Sequence, residues 1–224
     1  LRTRLLTRAQ GNPFYLEELL NYLHDRGLDP LDPDDLKKIE LPDSLHTLIL
    51  SRLDQLSESE KITLRVASII GRLFRAAWLM GYYPELGDVP QTKADLDQLA
   101  ALDITPLDTP EPDLAYLFKH IVTHEVTYES LSFSTRAQLH EQLARYLENA
   151  GTSLDTIAYH YGRSENTEKQ REYFRKAGEQ AQKNFANDAA LEYYGRLLPL
   201  LKGPQEQTQI HMQRGQVLEL MGKW

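Results

Sequence analysis

Apolar residues recur at helical spacing along almost the whole chain. The interval shortens to the two-residue period of strands only at Ile104-Thr105-Pro106-Leu107 and Leu114-Ala115-Tyr116-Leu117-Phe118. This pattern predicts a mainly α fold interrupted by one short hairpin around a Pro-containing loop. The 224 residues leave room for one large or two to three small domains.

The punctuation divides the chain further. Leu5 and Leu6 belong to a helix that stops before Gly11, and the next runs from Pro13 to about Arg26 and ends at Gly27. Residues 28–42 are rich in turn signals, including Asp29-Pro30, Asp32-Pro33-Asp34-Asp35 and Leu41-Pro42. Leu45, Leu48, Ile49, Leu53 and Leu56 form another helical stripe, starting near Asp43 or Ser44. Residues 1–56 thus read as a small helical lid. Ser57-Glu58-Ser59-Glu60 is a capping box opening a helix that ends at Gly71. A short amphipathic piece at Ala76–Tyr83 follows, then a loop marked by Pro84, Gly87 and Pro90, and a helix over Thr92–Leu102. With the hairpin and a helix starting after His120, residues 57–150 have the element order of a winged-helix domain. From Ser153 all signals are helical. Ala177-Gly178, Ala181, Ala189-Ala190 and Tyr193-Tyr194 resemble a tetratricopeptide repeat, with Gly178 matched by Gly215. Residues 151–224 are therefore expected to form TPR-like α-hairpins. Leu1 is not an initiator Met and Met221-Gly222-Lys223-Trp224 falls inside a repeat. Both lead to the expectation of a segment cut from a longer polypeptide.

A net charge of −8 argues against nucleic-acid binding as the main activity, because phosphate contacts need clustered Lys and Arg. The basic groups Arg2, Arg4, Arg8 and Arg171, Arg175, Lys176 are spaced like solvated helix faces. The Thr92–Leu102 helix, the candidate DNA reader, carries Asp95 and Asp97 against Lys93. There is no cysteine, hence no disulfide, which suits a reducing, cytoplasmic setting. No apolar run reaches membrane-spanning length.

The densest local signal is Gly11-Asn12-Pro13-Phe14-Tyr15-Leu16-Glu17-Glu18-Leu19. Asn12 is a good helix cap and Pro13 fits the first helical position. Phe14, Leu16, Leu19, Leu20 and Leu23 make the apolar stripe, with Glu17 and Glu18 near the positive end of the helix dipole. The residues alone leave two readings open: a well-capped helix, or a stiff aromatic-proline corner that lies against a ligand. At Tyr116-Leu117-Phe118-Lys119-His120, a strand delivers His120 to a helix start, where anions are favoured. Its position fits either a phosphate ligand or a group that hydrogen-bonds its own helix. His124 and Glu125 lack the His-Glu-x-x-His spacing and a third metal ligand, so no metal site is expected.

Gly11-Asn12-Pro13-Phe14 resembles the Gly-x-Pro element of signal-transduction ATPases with numerous domains, the STAND class of AAA-related switches. The ordered set of that element, "LPDSLHTLILSRLDQL", "ASIIGRLF" and "FKHIVTHEVTYESL" strengthens the resemblance. It implies that Gly11, Asn12, Pro13 and Phe14 touch the adenine of a bound nucleotide and that His120 senses the β-phosphate of ADP. Arg52 and Asp54 would make polar contacts between lid and winged helix. Arg136, Leu139, His140 and His160 match the pattern but have apolar neighbours that favour packing roles. In this class the ATPase is attached to a class III nucleotide cyclase, a protein kinase or a LuxR-type DNA-binding domain.

No Gly-x-x-x-x-Gly-Lys-Ser/Thr loop and no apolar strand ending in paired acids occurs. Phosphates then lack a backbone cradle and Mg²⁺ lacks ligands, so the segment is not expected to hydrolyse ATP alone. The expectation is a regulatory piece that binds ATP or ADP, with Mg²⁺, only together with a nucleotide-binding core elsewhere in the same polypeptide. A protein or small inducer would act on the repeats. The alternative is a TPR-type interaction module of a transcriptional regulator without nucleotide contact.

Overall fold

A computed structural model describes residues 11–32 and 42–223. The helix bearing Leu5 and Leu6, the group Arg2, Arg4 and Arg8, the turn residues Pro33-Asp34-Asp35 and Leu41, and Trp224 lie outside the described residues. The molecule is mainly helical with a small three-stranded antiparallel sheet. Its packing divides after Leu131 into two compact units.

In the first unit, the Asn12 side chain accepts from the Phe14 and Tyr15 amides at 3.0 and 3.4 Å and opens α1 (Pro13–Asp25). Ser44 caps α2 (Leu45–Leu53) through the Thr47 amide at 3.1 Å. Tyr15, Leu19, Tyr22, Leu23 and Leu48 form the core between them. The buried face of α1 differs from the expected stripe. Phe14 and Leu20 are exposed, whereas Tyr15, Glu18 and Tyr22 are buried. Two polar contacts set this rotation: the Tyr15 hydroxyl donates to the Pro42 carbonyl, and Glu18 pairs with Arg52. Glu17 and Glu18 also lie beyond the first turn of α1 and face side-chain cations rather than the helix dipole.

Both reciprocal bonds of the capping box at Ser57 and Glu60 are present, opening α3 (Glu58–Ile70). β1 (Leu73–Arg75) and α4 (Ala76–Tyr82) follow, then a 3₁₀ turn at Pro84–Leu86. α5 spans Val89–Ala101 and so starts three residues before the expected Thr92. The reason is local: Asp88 caps the Gln91 amide at 2.9 Å, and Pro90 sits in the first turn, where no amide hydrogen is needed. Asp95 of α5 is buried and accepts from Ser59 at 2.6 Å and Thr63 at 3.0 Å, fastening α5 to α3.

β2 (Leu107–Thr109) and β3 (Ala115–Leu117) form the hairpin, followed by α6 (Ile121–Glu129). The first strand falls later than Ile104–Leu107. The Ile104 and Thr105 amides instead close the end of α5 on the Leu99 carbonyl, with Asp103 at φ 58°. β1, which the sequence pattern missed, completes the sheet in the order β1-β3-β2 and sets Phe74 opposite Tyr116. Beyond β3, the Phe118 amide bonds the Arg72 carbonyl at 2.8 Å and the Lys119 amide bonds the Ile104 carbonyl at 3.1 Å. These bonds carry the chain to His120, the residue that caps α6.

The second unit contains α7 (Phe133–Asn149), α8 (Leu154–Tyr161), α9 (Thr167–Lys183), α10 (Asn187–Leu197) and α11 (Pro204–Leu220), with a 3₁₀ turn at Leu198–Leu200. α9 and α10 form the most extensive helix pair. A Cβ on Gly178 would stand 2.7 Å from the Tyr194 ring, so the missing side chain permits this approach. Gly215 faces open space within 4 Å and has no such contact, which separates it from the expected pairing with Gly178. Among the described residues, no helix is long and apolar enough to cross a membrane.

Candidate functional site

A cavity of about 280 Å³ opens in the first unit between the start of α1, α2 and the β3–α6 junction. Phe14, Leu45, Ile49, Ile121 and Val122 supply its apolar surface, and Glu18, Arg72, Lys119 and His120 its charged or polar groups. Phe14 stands edge-on to His120, with ring centroids 5.0 Å apart and planes at 65°. Two positions separated by more than a hundred residues thus meet across one opening.

Each side chain has a local cause for its place. Pro13 and the Asn12 cap fix the first turn of α1, so Phe14 leaves the core side and points its ring into the cavity. Gly11 takes φ 79°, a left-handed conformation easy only for glycine, and turns the chain into that cap. Gly11, Asn12 and Pro13 support the corner but do not line the cavity. His120 is held at the helix start without a side-chain capping bond. Its Nε2 is buried, lies 3.4 Å from Glu17 Oε2 and 3.5 Å from Glu18 Oε1, and makes no hydrogen bond with proper geometry among the described residues.

Arg52 underpins the site. Its buried guanidinium donates to Glu18 at 2.6 Å, Asp25 at 2.9 Å and the Leu102 carbonyl at 2.7 Å. Arg52 therefore ties α1 and α2 to the end of α5 while fixing the carboxylate beside His120. Asp54 is exposed at the end of α2, beside a separate hollow lined by Lys61, Arg65 and Thr127. It joins no ion pair among the described residues.

Glu17, Glu18, Lys119 and Arg72 are site residues that the sequence did not single out. Lys119 pairs with Glu17 at 2.5 Å and with Asp103. Burial acts to lower its ammonium pKa, but the hydrogen bonds to Asp103 and Glu17 outweigh that, and the net shift is upward. Arg72 donates to the Phe118 and Lys119 carbonyls, each at 3.2 Å. The adjacency of Lys119 to His120 was the one available signal for it. Glu17 and Glu18 gave none beyond ordinary helix-start acids.

His124, His140 and His160 serve packing. His124 lies 2.9 Å from the Ser68 carbonyl and edge-on to Phe118, and burial lowers its pKa. His140 and His160 bring their Nδ1 atoms within 2.9 Å of each other inside the second unit. Leu139 is also buried there. Among the described residues, no three His, Asp or Glu side chains converge as metal ligands do. Tyr173, Phe174 and Tyr194 are buried core residues of the second unit. Arg175 and Lys176 form ion pairs with Glu206 and Glu172 at 3.4 and 2.6 Å.

Chemically, the lining combines apolar side chains and an aromatic ring, suited to a flat ring, with Arg72, Lys119 and His120, suited to an anion, beside the Arg52-bound carboxylate of Glu18. No protein-family model, curated protein or solved structure matches the chain.

Proposed function

We propose that this chain is a regulatory segment of a STAND-class signalling ATPase. Residues 1–56 act as its lid, residues 57–150 as its winged-helix domain and residues 151–224 as TPR-like hairpins. The lid and the winged helix close an adenine nucleotide against a nucleotide-binding core carried elsewhere in the polypeptide, which also supplies the Mg²⁺ site. Phe14 packs against the nucleotide and His120 meets its phosphate. The output is a class III nucleotide cyclase, and a protein or small inducer acts on the hairpins. ADP favours the closed arrangement, and ATP or the inducer favours release, through differential contacts with two states.

The observation that carries this reading is the meeting of Phe14 and the unsatisfied His120 Nε2 across one cavity lined by apolar side chains and by Arg72 and Lys119. The same geometry gives the interaction-module alternative no role for His120. The test is ADP retention by the complete polypeptide. His120→Ala should weaken it by about tenfold or more through a lost charge-assisted contact, and Phe14→Ala by about tenfold through lost apolar burial. Retention unchanged in both variants would leave the interaction-module reading in its place.

A further inference from the structure

The Glu17 carboxylate turns its two oxygens to two different basic groups of the cavity wall. Oε1 lies 2.5 Å from Lys119 Nζ, and Oε2 lies 3.4 Å from His120 Nε2. One anion spanning an ammonium and an imidazole is the arrangement a phosphate would adopt there. Glu18 is not available for this role, because its other oxygen is committed to buried Arg52. Glu17 is different. Its side chain is 39% exposed, and the core of α1 is built from Tyr15, Leu19, Tyr22 and Leu23 without it. Arg72 lines the same cavity, donates only to main-chain carbonyls, and has no carboxylate partner among the described residues.

We propose that Glu17 is an internal stand-in for phosphate: it pairs with Lys119 and stands 3.4 Å from the unsatisfied His120 Nε2, and an incoming phosphate group displaces it to bridge Lys119, His120 and Arg72. The inference rests on the nucleotide reading of this cavity and adds a regulation to it. Because Glu17 belongs to α1 while Lys119 and His120 precede α6, displacement removes one polar link between those elements. Phosphate occupancy and that link are then alternatives, and each weakens the other through linkage.

The test is a titration of the 224-residue chain with pyrophosphate, followed through the ¹H–¹⁵N signals of the histidine side chains. Glu17→Gln should bind pyrophosphate about five- to tenfold more tightly than the parent chain, since it removes a partly exposed competing pair. Glu58→Gln makes the same change of charge at an exposed carboxylate paired with Lys61, and should leave affinity unchanged. Lys119→Met should abolish the response of His120. Glu17→Asp retains the charge on a shorter arm and should bind with intermediate affinity, which covers the case of a misfolded glutamine variant. Equal affinities for Glu17→Gln and the parent, or no response to pyrophosphate in any variant, would overturn the proposal. The nucleotide reading fails separately, if the complete polypeptide retains no ADP while the pyrophosphate ranking holds.

Discussion

Arg52 Nη1 donates to Glu18 Oε2 at 2.6 Å, and both side chains are almost wholly withdrawn from solvent. A buried ion pair adds little net stability over an apolar pair of similar volume, but removing one partner strands a charge in the interior. Arg52→Ala should therefore destabilise the first unit by about 3–5 kcal/mol, read as a lower urea midpoint. Pairing Arg52→Leu with Glu18→Leu should recover much of that loss, even though Asp25 remains. A single variant with an unchanged midpoint would show that the guanidinium is not the keystone described here.

The His140–His160 pair gives stability a pH dependence. Burial lowers both pKa values, to about 3 for His140, where His160, Arg163 and Arg136 add to the effect, and to about 4 for His160, where Arg163 does. Unfolded histidines titrate near about 6.5, so between there and about 4 the unfolded state binds more protons than the folded one. The pair's contribution is thus complete above about pH 6.5 and is lost as the pH falls. Each imidazole should contribute a slope of about 1.4 kcal/mol per pH unit in that window. Hydrogen exchange of peptides from α7 and α8, corrected for intrinsic rates, should show protection falling from pH 7 to pH 5. His140→Phe should reduce that dependence by about half.

The two helical glycines of the second unit should respond oppositely. Gly178→Ala forces a Cβ against Tyr194 at 2.7 Å and should cost about 1–3 kcal/mol. Gly215→Ala meets open space inside a helix and should be neutral or stabilising by up to about 1 kcal/mol. Thermal melts of the two variants decide this, and a destabilised Gly215→Ala would contradict the open face.

At the start of α3, Ser57→Ala should lower stability by about 1 kcal/mol, because the Glu60 amide loses its acceptor. Ser57→Gly should cost only a few tenths of that order. Equal losses for the two would mean that the hydroxyl bond is not what starts the helix.

What the sequence made legible was local. Asn12-Pro13 and Ser57 with Glu60 announce their helices because the capping atoms lie within three residues of the amides they satisfy. The arrival of a strand at His120 followed from the change of period at Leu114–Phe118. Features set by distant partners stayed hidden. β1 is three residues long and exists only because β3 pairs with it. The α1 stripe was misjudged at Phe14 and Tyr15, because the partner that turns it, Pro42, lies twenty-seven residues away. Pro90 reads as a loop until Asp88 is seen to cap the turn in front of it. The resemblance implies polar contacts for Arg52 but does not name its partners, Glu18, Asp25 and the Leu102 carbonyl. Glu17 carries no signature in one dimension, since its meaning comes from Lys119 and His120 across the cavity.

The central claim is that the corner at Phe14 and the imidazole of His120 face one adenine nucleotide. Its most direct measurement is photolabelling of the complete polypeptide with 8-azido-ADP, with the modified peptides mapped by mass spectrometry. The account predicts labelling within α1 near Phe14 or at the start of α6 beside His120, competed by ADP and lost in Phe14→Ala. Labelling confined to other segments, with none in either of these, would contradict it.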